Sequence, residues 1–193
     1  MSRWEPNAAQ RLGAAAVELF AERGYEDVTV VEIAERAGLT KRTFFRHFAD
    51  KREILFRGQD AYRGMFADAI AGAPDEAGPM EAIGAALTAF AAGFTDDRRE
   101  LVAKRQAVID ANPELKERDL LKAAALTTAI ADALVARGVK PPVANLAANF
   151  GALALADAFQ SWLQPGNRKS MTTLVQQALR DLDTAVKALH QSP

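Results

Sequence analysis

An all-helical chain is what this sequence predicts, and three observations carry the prediction. Apolar residues recur at helical spacing in one segment after another. These segments are set off by Gly, Pro and capping Ser, Thr, Asp or Asn residues. No stretch alternates β-branched and polar residues as a half-buried strand would. The chain has 193 residues, 49% hydrophobic and 25% charged, enough for one or two domains with a sizeable core. About nine helices are expected. They divide into an N-terminal three-helix head at 1–53 and a helical domain at 54–193.

In chain order, residues 1–6 read as a terminal arm in which Arg3 is either solvated or a nucleic-acid contact. Asn7 offers a cap for a helix over 8–23, with Leu12, Ala15, Ala16, Leu19 and Phe20 on its apolar side and Gly24 after its end. Thr29 and Glu32 have capping-box spacing, so a short helix starts there and carries Ile33, Ala34 and Ala37 on one side. Gly38 supplies the turn out of it. Thr40 then caps a second short helix over 41–48, whose Phe44 and Phe48 point inward and leave Lys41, Arg42, Thr43 and His47 outside. Asp50 and Glu53 repeat the capping spacing and begin a helix expected to run unbroken from Lys51 to about Ala71, coupling head to second domain.

The segment 72–79, with two Gly and two Pro, is a loop. Helices follow at 80–94, at 97–111 with caps from Thr95, Asp96 and Asp97, and at 114–137 after Asn112-Pro113. Pro141 and Pro142 open another at 142–163, and Ser170 caps the last at 171–190.

Two short helices joined by a Gly-containing turn form a helix-turn-helix, whose second helix enters a DNA major groove. Charge supports this placement: residues 38–57 hold six Lys/Arg against two acids, although residues 1–60 hold ten of each and the whole chain carries −1. Arg42 suits guanine readout, because a guanidinium spans O6 and N7. Lys41, Lys51 and the Thr40 hydroxyl suit phosphates, and His47 can donate to one. With no Cys, two His (47 and 190), no His-x-x-x-His, no G-x-S-x-G and no phosphate loop, neither an enzyme, a cofactor nor a metal site is expected. No apolar leader or spanning segment is present, so a cytoplasmic protein is expected.

The run GYEDVTVVEIAERAGLTKRTFFRHFADKREIL, within residues 8–58, resembles the DNA-binding domain of the TetR family of bacterial repressors. The resemblance implies a homodimeric, ligand-responsive regulator of a palindromic operator in double-stranded DNA. It places Thr29, Thr40, Lys41, Arg42, Thr43, Phe45, His47 and Lys51 where the family meets DNA. Phe45 stands where a Tyr whose hydroxyl reaches phosphate is common, so that contact is lost; Arg46 compensates with its charge.

Helix 142–163 is apolar over much of its circumference, which asks for burial on several sides, and helix 171–190 carries one apolar stripe. Pairing with a second copy is the economical answer, through Leu146, Leu153, Asp157, Met171, Leu174, Val175, Ala178 and Leu182. A pocket for a small apolar effector is expected among helices 51–71, 80–94, 114–137 and 142–163, lined by Met65, Phe66, Phe90, Phe94, Gln106, Asp110, Asn149, Phe150 and Trp162. Residues 105–121 and the helix ending at Trp162 faintly resemble the family's acyl-CoA-like-binding ligand domains. The rival reading keeps the dimer and the DNA but discards the effector, giving a nucleoid or assembly protein.

Overall fold

The computed structural model describes residues 8–189, which form helices and turns without strands. The arm with Arg3, the Asn7 cap and His190 lie outside the described residues. The helices are α1 (Ala8–Arg23), α2 (Val30–Arg36), α3 (Lys41–His47), α4 (Glu53–Phe56), α5 (Gln59–Ala71) and α6 (Pro79–Ala91). After a 3₁₀ turn at Asp96–Arg98 come α7 (Arg99–Ala111), α8 (Pro113–Ala136), α9 (Pro141–Leu163) and α10 (Met171–Leu189).

Two compact units emerge. The first holds the chain up to Gly58 together with Glu100–Leu120; the second holds Gln59–Arg99 and the chain from Leu121 onward. The head's core gathers Leu12, Ala16, Phe20, Ile33, Phe44 and Phe56 with Ile109 and Leu115, so a segment distant in sequence completes it. Around Phe56 this segment is held by charge. Arg105 Nε donates to the Leu55 carbonyl at 2.6 Å, and the Arg105 and Arg118 guanidiniums lie 5.7 and 5.3 Å from the Phe56 ring. Arg118 also pairs with Glu53. Cations over a buried ring, in a partly dry site, add attraction beyond area burial.

The helix expected from Lys51 to Ala71 is two helices. The backbone leaves helical geometry at Arg57 and turns through Gly58 at φ +84°, a conformation costly for any residue with a Cβ. Nor does Asp50 build the full cap: its Oδ1 accepts from Glu53 N at 2.8 Å, but the N-cap position falls on Arg52. Thr95 likewise makes no side-chain cap bond, and Asp96 instead accepts from Arg99 at 2.5 Å. Ser170 caps as expected, its Oγ accepting from Thr173 N at 3.2 Å.

In the second unit α9 turns its small residues inward. Ala144, Ala147, Ala148, Gly151, Ala154 and Ala158 are buried, while Leu146 and Leu153 remain 72% and 51% exposed. α10 buries Met171, Leu174, Val175 and Ala178. That corrects the expectation for these four: with Met171 and Val175 at 0% exposure, they belong to this chain's own core and offer a second copy almost nothing. Leu182 is half-buried and Asp157 exposed. Arg137 ties down the 72–79 loop by donating to the carbonyls of Ile70, Ala73 and Pro74 at 2.9, 2.8 and 2.7 Å.

The start of α2 generates a pH prediction. Hydrogen bonds from the Thr29 hydroxyl and amide, then from Arg23, hold the Glu32 carboxyl down at about 2 against an ordinary 4.5. A carboxylate depressed on folding stabilises fully above pH 4.5 and loses that contribution as pH falls through about 2. Titration by carbon-detected NMR should show Glu32 ionised at pH 3.5, and Glu32→Gln should flatten the acid limb of a stability profile between those two values.

Candidate nucleic-acid interface

A seven-residue helix has only one bonded turn to spare, so α3 depends on its ends and its buried face. Its N-cap is Thr40, whose Oγ1 accepts from Thr43 N at 3.2 Å. The Thr40 and Thr43 hydroxyls lie 3.0 Å apart, so one donates to the other and a single proton remains to offer outward. Ahead of it, α2 ends in a Schellman turn. Gly38 at φ +66° donates to the Glu35 carbonyl at 2.9 Å, and Leu39 to that of Ala34 at 2.8 Å. Arg11 locks this turn by donating to the Ala37 carbonyl at 2.6 Å.

The buried side of α3 is Phe44 with Phe48 just past its end, 0% and 3% exposed, their ring centroids 5.4 Å apart. The opposite side is open. Lys41, Arg42, Phe45, Arg46 and His47 are all exposed, and Thr43 is half-buried. Among the described residues Lys41, Arg42 and Arg46 make no ion pair or side-chain hydrogen bond. Spacings of three and four put Lys41, Arg42, Phe45 and Arg46 on one contiguous patch.

Other cations of the region are already employed. Lys51 Nζ donates to the carbonyls of Tyr25 at 2.7 Å and Glu26 at 3.3 Å and lies 4.2 Å from the Tyr25 ring centroid. Arg52 pairs with Asp50 at 3.2 Å, and Arg36 with Glu22 at 2.9 Å. The hydrogen bond from Arg36 is the main cause of the Glu22 carboxyl being held below its ordinary value. Thr29, though exposed, spends its hydroxyl proton on Glu32 Oε2 at 2.7 Å and its amide on the same oxygen at 2.8 Å. Of the nine residues expected at DNA, the structure therefore brings seven together on and around α3. It gives Thr29 and Lys51 internal work.

The residues expected to line an effector pocket divide. In the second unit rings run in a chain: Tyr62 and Phe66 meet Phe90 at 4.9 and 5.4 Å, Phe90 meets Phe94 at 5.1 Å, and Phe94 meets Trp162 at 5.5 Å. Phe159 joins Phe94 at 5.9 Å. Tyr62 is absent from the residues expected at the pocket, although it stands four residues before Phe66 on one helix face. Arg99 was also missed; its guanidinium lies 5.1 Å from the Trp162 ring centroid. Among the described residues, buried Trp162 Nε1 and Arg99 Nε meet no acceptor. Met65 and Phe150 are half-buried, and exposed Asn149 donates to its own helix at the Asn145 carbonyl, 2.8 Å away. Gln106 and Asp110, bonded to each other at 3.1 Å on α7, belong to the head's unit and not to that of the rings.

Residues 12–57 match the family described as bacterial regulatory proteins, tetR family, and residues 77–187 match the MftR C-terminal domain. An 85-residue stretch is 38% identical to the HTH-type transcriptional regulator TcmR of Streptomyces glaucescens, covering 44% of this chain and 38% of that protein. Over 103 residues the identity is 35% to the Mycobacterium tuberculosis transcriptional regulator MftR, whose name assigns it to mycofactocin biosynthesis. That match covers 52% of this chain and 50% of MftR, so this chain spans half or less of these relatives' lengths. A solved TetR-family regulator from Mesorhizobium loti shares the fold, with a TM-score of 0.57 over 93% of this chain and 95% of that one at 22% identity.

The division of cations is open to a direct check. Lys51→Met should lower unfolding free energy by about 1–2 kcal/mol, because two carbonyls lose a charged donor. Lys41→Met and Arg46→Gln should change it by less than about 0.5 kcal/mol. Urea denaturation of the three variants measures both.

Proposed function

Because the chain belongs to the TetR family of bacterial transcriptional regulators, we propose that it represses transcription as a cytoplasmic homodimer on a palindromic operator and leaves DNA when a small apolar effector binds. The observation that carries the DNA half is the α3 patch of exposed cations, without partners among the described residues, opposite the buried Phe44–Phe48 pair. Lys41 and Arg46 neutralise phosphates, which holds register without reading sequence. Arg42 reads a guanine through its two ring-edge acceptors. One proton from the Thr40–Thr43 pair goes to a phosphate oxygen, and His47 donates to another.

A seven-residue reading helix covers few base pairs, so a second copy must double the contacts. Val143, Leu146 and Leu153, with half-buried Phe150, form an exposed apolar stripe on α9 ending near Asp157. With Leu182 of α10 it supplies an isologous four-helix contact. The effector half rests on the Phe90–Phe94–Phe159–Trp162 rings and on two sealed donors, Trp162 Nε1 and Arg99 Nε, which meet no acceptor among the described residues. A buried donor left unmet costs about 1–3 kcal/mol, which an effector's oxygen would recover. The helix breaks at Gly58, so we assign coupling to the whole set of chain crossings at 58/59, 99/100 and 120/121 and not to one rigid rod.

Footprinting on random or neighbouring genomic duplex should reveal a protected palindrome, and Arg42→Ala should cost about 1–3 kcal/mol of binding at one base position per half-site. Uniform protection without a palindrome would favour the nucleoid reading. Leu146→Glu with Leu153→Glu should give a monomer by light scattering and abolish two-half-site binding, while circular dichroism stays helical.

A further inference from the structure

Phe45 is the one large apolar side chain on α3 that points outward: 49% exposed, against 0% for its neighbour Phe44. It is also held in place, edge-on to the buried Phe44 ring at 5.4 Å and 76°. Lys41 and Arg42 precede it by four and three residues and Arg46 follows, so cations surround an oriented ring. That rim calls for a polyanion, and the ring calls for something apolar at its centre. On duplex DNA the apolar group reachable from the major groove is the thymine C5-methyl. Base stacking on the ring would need unpaired bases, which a duplex does not offer.

We propose that Phe45 reads a thymine through its C5-methyl group, an inference that rests on the DNA-binding reading above. The side chain has no hydroxyl to give a phosphate, so its contribution moves from holding the backbone to discriminating a base. Next to it Arg42 takes a guanine, and together they specify adjacent positions of each half-site.

The test begins with selection of bound sequences from a random duplex library by the wild-type chain. Each thymine of the selected site is then replaced singly by deoxyuridine, which lacks only the methyl. Wild type should lose about fourfold in affinity at one position per half-site, the worth of one buried methyl. Phe45→Ala, whose folding circular dichroism verifies, should show no loss there on the same substitution. Phe45→Tyr, which keeps the ring, should retain it. A site at which no deoxyuridine matters to wild type, or matters equally to Phe45→Ala, overturns the inference while leaving DNA binding intact. Equal weakening of Phe45→Ala on every sequence also overturns it, since that describes a sugar or phosphate contact. A wild-type chain that selects no sequence overturns both this inference and the regulator reading.

Discussion

Burial of Phe44 and Phe48 is the constraint on which the rest of the molecule's chemistry hangs. A helix as short as α3 is unstable alone, since nucleation fixes several residues for each bond gained. It persists because two rings 5.4 Å apart enter a core already formed by Leu12, Ala16, Ile33 and Ala34. Once those rings are placed, 3.6-residue periodicity leaves no freedom: Lys41, Arg42, Phe45 and Arg46 must face out. The small side chain of Ala34 and the left-handed turn at Gly38 let α2 and α3 approach closely enough for this to happen.

Charge is divided with the same economy. The chain is near neutral at −1, so no general field draws it to nucleic acid. Cations at the edges of the head are tied to carbonyls and carboxylates, where they brace turns and helix ends: Lys51 over Tyr25, Arg36 with Glu22, Arg118 with Glu53. Among the described residues, those on the outer face of α3 make no ion pair or side-chain hydrogen bond. An exposed cation in water costs little, so the fold does not require a partner for it.

The second unit follows another logic. α9 spends its alanines inward, so its leucines at 146 and 153 are spare, while the rings around Phe90 and Trp162 fill the interior. Two sealed donors there meet no acceptor among the described residues, a state that stable cores ordinarily avoid. Segment 100–120, although it lies between elements of this unit in sequence, completes the head's core through Ile109 and Leu115. The head is therefore not a contiguous stretch of chain, and the two units share three crossings of the backbone.

Much of this was legible from residues alone. Helix ends, the Thr29–Glu32 capping box, the Gly38 turn and the inward Phe pair are local matters, set by side chains within four residues of one another, and sequence spacing reports them directly. Spacing could not report which cations were taken, because Lys51 finds its carbonyls 25 and 26 residues away and Arg118 finds Glu53 at 65. Nor could it separate core from spare surface on α10, since Met171 and Val175 look the same whether a helix of this chain or of another covers them. The break at Gly58 was hidden inside a run that is otherwise helical in pattern, and a glycine there is decisive only once packing asks for φ +84°. Sequence by itself determined the helical class and the face that α3 presents, because those follow from periodicity, but not the break at Gly58. Tertiary structure alone decided which groups are free to act, because freedom depends on partners brought from far along the chain.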